Sequence, residues 1–192
     1  VTFEYGLTIA YGTSVTATPS PVTGVTNTAV SYLLSGLTPN TTYHYRVVGV
    51  NSAGPANGLD LTFTTSAILP IVTTDPANGI TSVAATLNGT VNANNASTAV
   101  TFEYGTTIAY GSTVTAVPSP VTGMTNTSVL YNLTGLTPNT TYHFRAIGVN
   151  LAGPVNGLDQ TFSTLAIAPT AITTSASSIG STTATLNGNV NA

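Results

Sequence analysis

The chain has 192 residues and only 4% of them are charged, with five acidic residues against two basic ones and a net charge of −3, where soluble domains average about 25% charged. Both fixed cations are arginines, Arg46 and Arg145, so no basic surface for nucleic acid can be assembled. No apolar run approaches the roughly 20 residues of a membrane-spanning helix, and the absence of Cys excludes a disulfide framework and a thiolate metal site. Thr makes up roughly one residue in five and, with Val, Ile and Tyr, marks a chain built for strands. Low charge together with many β-branched and aromatic residues is the reverse of a disordered composition. The fold class expected is all-β.

The chain is a tandem repeat. VTFEYG begins at Val1 and again at Val100, Arg46 recurs as Arg145, and the triplet at Leu87 recurs at Leu186. The offset is 99 throughout, without insertion or deletion, and roughly two-thirds of the aligned positions are identical. The middle copy carries the whole pattern, and its strands are expected in order at Ile71 to Thr74, Ala84 to Val91, Thr101 to Tyr104, Thr113 to Val117, Val129 to Leu133, Tyr142 to Val149 and Leu158 to Phe162. Period-two alternation supports these assignments: Tyr142, Phe144, Ala146 and Gly148 fall on one face of a strand, and His143, Arg145 and Ile147 on the other. Pro118-Ser119-Pro120 bounds the fourth strand because proline cannot continue a ladder. The runs from Asn51 to Gly58 and from Asn150 to Gly157 have the Gly, Pro and Asn content of a hairpin loop. The inward set is expected to be Leu87, Phe102, Tyr104, Leu133, Leu136, Tyr142, Phe144 and Phe162.

The stretch GLTPNTTYHFRAIGVN, Gly135 to Asn150, occurs also as GLTPNTTYHYRVVGVN at Gly36 to Asn51. Its Leu136, Pro138 and Tyr142, and Leu37, Pro39 and Tyr43 in the first copy, resemble the E–F corner of a fibronectin type III module. The resemblance implies tandem seven-stranded sandwiches with strands A, B, C, C′, E, F and G, and a Tyr that opens strand F and bonds back to the turn before it. The family's usual strand-B Trp is absent, and Leu87 stands near its place. The pattern is similar to Thr- and Asn-rich modules of prokaryotic surface and secreted proteins, which implies an extracellular or cell-surface setting. The Arg-Gly-Asp adhesion motif of some animal modules is missing from the F–G loop, so integrin-type binding is not carried over.

On this alignment residues 1–66 supply strands C to G of one module, 67–165 a complete module, and 166–192 strands A and B of the next. Val1 corresponds to Val100 and Ala192 to Ala93, so both ends fall in the same B–C loop. A head without A and B leaves Phe3, Tyr43, Tyr45 and Phe63 partly uncovered, each forgoing about 1.5–3 kcal/mol of burial. The expected remedy is head-to-tail completion, either by strands exchanged between separate copies or by a longer covalent array of the same repeat, and a heterologous contact that does not close gives an open filament. Pro70 and Pro169 in the short junctions predict a semi-rigid rod.

Candidate sites are few. Glu4 with Arg46, and Glu103 with Arg145, are expected as cross-strand pairs on the solvent face, with Asp60 and Asp159 on the adjacent strand as the second carboxylate of each unit. A flat sheet face supplies no catalytic cleft, so no catalytic residue, cofactor or metal ligand is assigned. His44 and His143 have no second ligand at metal spacing and read as exposed strand positions. Six Asn-x-Ser/Thr sequons are present, and Asn95 and Asn139, in expected loops, are the candidate glycosylation sites. The function expected is a non-catalytic structural module of an extracellular filament, sheath or stalk, with other copies of the repeat as partners. The alternative is a spacer or carbohydrate-contacting module in which Tyr5, Tyr11 and Tyr32 meet glycans.

Overall fold

In the computed structural model, which describes residues 1–191, every regular element is a strand. The middle copy is a sandwich of two antiparallel sheets. One sheet contains β6 (Ile71–Asn78), β7 (Ala84–Asn92) and β10 (Thr127–Thr134) in the order β10-β7-β6. The other contains β8 (Ala99–Gly105), β9 (Ser112–Thr115), β11 (Thr141–Asn150), β12 (Gly153–Asn156) and β13 (Gln160–Ser163) in the order β12-β11-β8-β9, with β13 also on β11. Alternate residues of each strand face inward, and together they form one core of Leu87, Val91, Val100, Phe102, Val129, Leu133, Leu136, Tyr142, Phe144 and Phe162, with Tyr104 packed at its margin. Tyr142 stacks on Phe162 at 5.5 Å between ring centroids, and Phe144 meets Phe162 edge-on at 5.9 Å, the geometries aromatic quadrupoles favour.

Three local expectations change. Thr113 to Val117 does not form one edge strand: β9 ends at Thr115, and Val117 crosses to the opposite sheet, where it exchanges backbone bonds with Leu130. The proline-bearing segment that follows cannot supply the ladder donors a longer edge would need. The run Asn150 to Gly157 is not all loop either, since Gly153–Asn156 pairs with Ile147–Asn150 as β12. Pro154 is tolerated there because β12 lies at the sheet edge, where a missing N–H breaks no ladder. The last strand therefore comes in two pieces, separated by a bulge at which Gly157 N–H donates to Ala146 O.

The first copy repeats only one of these sheets: β1 (Thr2–Gly6), β2 (Thr13–Thr16), β3 (Thr42–Asn51), β4 (Gly54–Asn57) and β5 (Leu61–Thr64), in the order β2-β1-β3-β4 with β5 on β3. The third copy is a lone hairpin, β14 (Thr170–Ser177) paired with β15 (Thr185–Asn191). The segment 28–35 of the first copy, TAVSYLLS, aligns with β10, TSVLYNLT, yet forms no strand beyond a single bridge between Thr18 and Ser31. β10 is held along its whole length by β7, and no strand lies beside 28–35 to do the same.

Candidate functional site

Charged side chains gather at one place in the first copy and, Asp75 apart, at the equivalent place in the middle copy. Register sets Glu4 on β1 directly opposite Arg46 on β3, and Arg46 Nε donates to Glu4 Oε2 at 2.8 Å. The guanidinium also lies 4.7 Å from the centre of the Tyr11 ring, a cation–π distance. Tyr11 is delivered there by a turn in which its N–H donates to Thr8 O at 2.9 Å. Its backbone presses so closely on Gly6 that no Cβ fits. Tyr11 Oη donates to Asp60 Oδ1 at 3.0 Å, and His44 Nδ1 lies 2.8 Å from Asp60 Oδ2. A carboxylate only accepts, so the imidazole nitrogen donates.

The same five-residue unit recurs as Glu103, Arg145, Tyr110, Asp159 and His143. In both, the Asp bonds directly to Tyr and His rather than to the Arg, while the Arg46 charge still acts on Asp60 from beside the Tyr11 ring. The bond from His44 holds the Asp60 carboxyl below its usual range, with the Tyr11 bond acting the same way. Partial desolvation, and then the neighbouring Asp, raises the Tyr11 and Tyr110 phenols. The two histidines are half-buried members of these units rather than free positions on a strand. The sequence signal for Tyr11 and Tyr110 was their recurrence beside an equally recurrent Gly6 and Gly105. The unit clamps strands and turn together, and in the first copy Glu4, Tyr11 and Arg46 also line an open surface depression of about 430 Å³ beside the turn. Among the described residues, no group of three or more His, Cys, Asp or Glu is placed to hold a metal ion.

The corner residues act as a structural unit. Tyr142 Oη accepts from Thr137 N–H at 3.0 Å, and Tyr43 Oη from Thr38 N–H at the same distance. Thr164 closes the corner from the other side: its Oγ1 donates to Thr137 O at 2.6 Å and accepts from Thr140 N–H at 2.9 Å. Leu136 is buried and Leu37 only half-covered, while Pro138 and Pro39 are both half-covered.

The first copy's corner is also a docking point. Asn95, in the loop after β7, donates through Nδ2 to Pro39 O and Thr41 Oγ1, both at 3.0 Å, and Asn40 Nδ2 donates to Asn95 O at 2.8 Å. The connecting segment is held by Asn150 Nδ2 on Ile68 O and Asn94 Nδ2 on Leu69 O. Asn95 as a glycan acceptor conflicts with this arrangement, because a sugar on Nδ2 displaces one of its two junction bonds. Asn139 is exposed.

The inner face of the β1–β5 sheet is an apolar surface whose side chains are only half-covered. It forms an open trough of about 450 Å³ floored by Phe3, Tyr5, Tyr45 and Phe63 and walled by Val30 and Leu34. The equivalent Phe102, Phe144 and Phe162 are 0%, 0% and 6% exposed beneath β6 and β7. The β14–β15 hairpin is bare on the matching face: Leu186 and Val190 are 86% and 74% exposed, where Leu87 and Val91 are both 0%.

No protein-family model and no curated protein matches the chain. Among solved structures, the sensor domain of the anti-sigma factor RsgI4 of Pseudobacteroides cellulosolvens is similar in two forms. The shorter is 22% identical over 51% of this chain and 96% of that one, with a TM-score of 0.38. The longer is 23% identical over 52% and 93%, with a TM-score of 0.35. The FN1–FN3 domains of chicken CNTN1 are 17% identical over 71% of this chain and 46% of that one, with a TM-score of 0.32. Among the described residues no helix is long and apolar enough to cross a membrane.

Proposed function

We propose that the chain is a non-catalytic structural unit of an extracellular filament, sheath or stalk, built from type III-like modules stacked head to tail. The observation that carries the reading is the half-covered aromatic face of the β1–β5 sheet, whose counterpart in the middle copy is sealed by β6 and β7. A strand pair equivalent to β6–β7, from a neighbouring copy or a continuing array, restores the sandwich. Near-absence of charge supports close stacking, since a net charge of −3 over 192 residues gives little mutual repulsion. The side-chain bonds between the first and middle copies support a fixed angle from one module to the next.

Negative-stain electron microscopy of the purified chain, with light scattering across a concentration series, tests the reading. Unbranched filaments whose mass grows with concentration are expected. Discrete short rods of one-chain mass at every concentration overturn it.

A further inference from the structure

We infer that the β14–β15 hairpin of a second copy of this chain is the partner that closes the β1–β5 sheet, seated as β6–β7 is seated on the middle sheet. The assignment rests on the structural-unit reading above and names its partner.

The two hairpins present nearly the same inner face. Thr74, Ala77, Ile80, Ala85, Leu87 and Val91 of the middle copy recur as Thr173, Ala176, Ile179, Ala184, Leu186 and Val190. In the middle copy, Thr74 Oγ1 reaches across the sandwich to accept from Ala146 N–H at 3.0 Å. The matching donor and acceptor are Val47 N–H on β3 and Thr173 Oγ1 on the second copy's β14.

One position of that inner face differs, and the difference is matched in the receiving sheet. Val72 becomes Ala171 in the tail, while Ala146 becomes Val47 in the head. In the middle copy a Cβ added at Gly148 comes within 2.7 Å of Val72 Cγ2, and one added at Gly89, which pairs with Thr74, comes within 3.2 Å of Ala146 Cβ. Val72 and Ala146 thus occupy diagonal places in one packed patch. Moving one valine from hairpin to sheet keeps the filled volume constant, and cores tolerate volume-conserving exchanges best. Above Gly49, the head counterpart of Gly148, nothing lies within 4 Å. Tyr45 replaces Phe144 and adds one hydroxyl to the face.

The ladder tells the same story. β10 pairs with β7 in the register Ser128 to Thr90 and Tyr131 to Leu87. A shift of one repeat sets Ala29 opposite Asn189 and Tyr32 opposite Leu186, along the segment 28–35 that lacks a strand partner.

The hairpin of the same chain cannot take this place. Asn150, at the end of β11, bonds to the connection from the head, whereas Ser163 pairs with Thr141 at the other end of β11. The ten residues of β11 separate the two ends by ~33 Å. The link from Ser163 to Thr170 spans at most ~25 Å when fully extended, and the hairpin would have to reach back beyond the whole middle copy.

Because the chain has no Cys, paired cysteines test the register directly. A chain carrying Ala29→Cys and Asn189→Cys is compared under mild oxidation with one carrying Ala29→Cys and Ile172→Cys. The second pair maps onto Ser128 and Thr73, which lie two strands apart across β7. That spacing is about 10 Å, beyond disulfide reach. Expected is a ladder of covalent dimers, trimers and larger species from the first pair, collapsing on reduction, and monomer from the second. Circular dichroism of both variants checks that the sandwich remains folded. No ladder from folded A29C/N189C chains that still form filaments overturns this partner and leaves the structural reading intact. A disulfide within one chain, or equal ladders from both pairs, also overturns it. Absence of both ladder and filaments removes the structural reading as well.

Discussion

Leu87 and Leu186 occupy the same place in two copies of one hairpin, yet their surroundings differ completely, so truncating each to alanine separates folding from assembly. Leu87 is 0% exposed in the middle core, and a buried Leu→Ala change costs about 2–5 kcal/mol through lost transfer energy plus the cavity left behind. That is a large part of the about 5–15 kcal/mol that holds a domain folded. For a module near 100 residues the thermal midpoint should fall by at least about 8 °C. Leu186 is 86% exposed in the isolated chain, and Leu186→Ala should change its stability by less than about 0.5 kcal/mol. If Leu186 enters a core like that around Leu87 on assembly, the cost appears in association instead, and 2 kcal/mol corresponds to an association constant weakened about 30-fold. Differential scanning calorimetry of dilute monomer measures the first quantity, and light scattering against concentration measures the second. The reasoning is refuted if Leu186→Ala lowers the monomer midpoint as much as Leu87→Ala does, or if it assembles like the parent chain.

Tyr142→Phe keeps the ring stacked on Phe162 but removes the acceptor of Thr137 N–H. It should cost about 0.5–1.5 kcal/mol by urea denaturation, and an unchanged midpoint would show that the corner bond contributes nothing. Asn95→Ala removes the two bonds to Pro39 O and Thr41 Oγ1, each contributing about 1 kcal/mol. Small-angle scattering and residual dipolar couplings should report a broadened angle between the first two copies, with the middle module's melting unaltered. Asp60 is held below the usual carboxylate range chiefly by His44, so its contribution is present above that range and is lost as pH falls through the depressed folded value. His44→Ala should move the Asp60 carboxyl titration, followed by carbon NMR, upward toward the usual range, and no movement would sink the assignment.

Period-two alternation and the corner motif sufficed to place the middle copy's longer strands, β6, β7, β8, β10 and β11, because each is amphipathic and bounded by Gly, Pro or Asn. The segment 28–35 shows where that reading stops. Its sequence is as strand-like as β10, but a β-strand is stabilised by its neighbours' backbone groups, and those lie outside the segment. Pro154 misled in the opposite direction, since an edge position removes the usual penalty. At the charged units, the spacing of Glu103 and Arg145 was readable because they lie opposite on paired strands. The Asp159–Tyr110 bond was not, because Tyr110 arrives from a turn 49 residues away. The junction depends on contacts such as Asn40 with Asn95, 55 positions apart, which no local pattern encodes.

Every side-chain contact described between the first copy and the middle one, and both of those that hold the connection between them, joins an uncharged amide to a carbonyl or hydroxyl oxygen. Such a joint has no ion for dissolved electrolyte to shield and no proton to gain or lose in the ordinary range of acidity. The angle these amide bonds hold between the first two copies is therefore an inheritance of geometry alone, indifferent to whether the surrounding fluid is fresh, brackish or mildly sour.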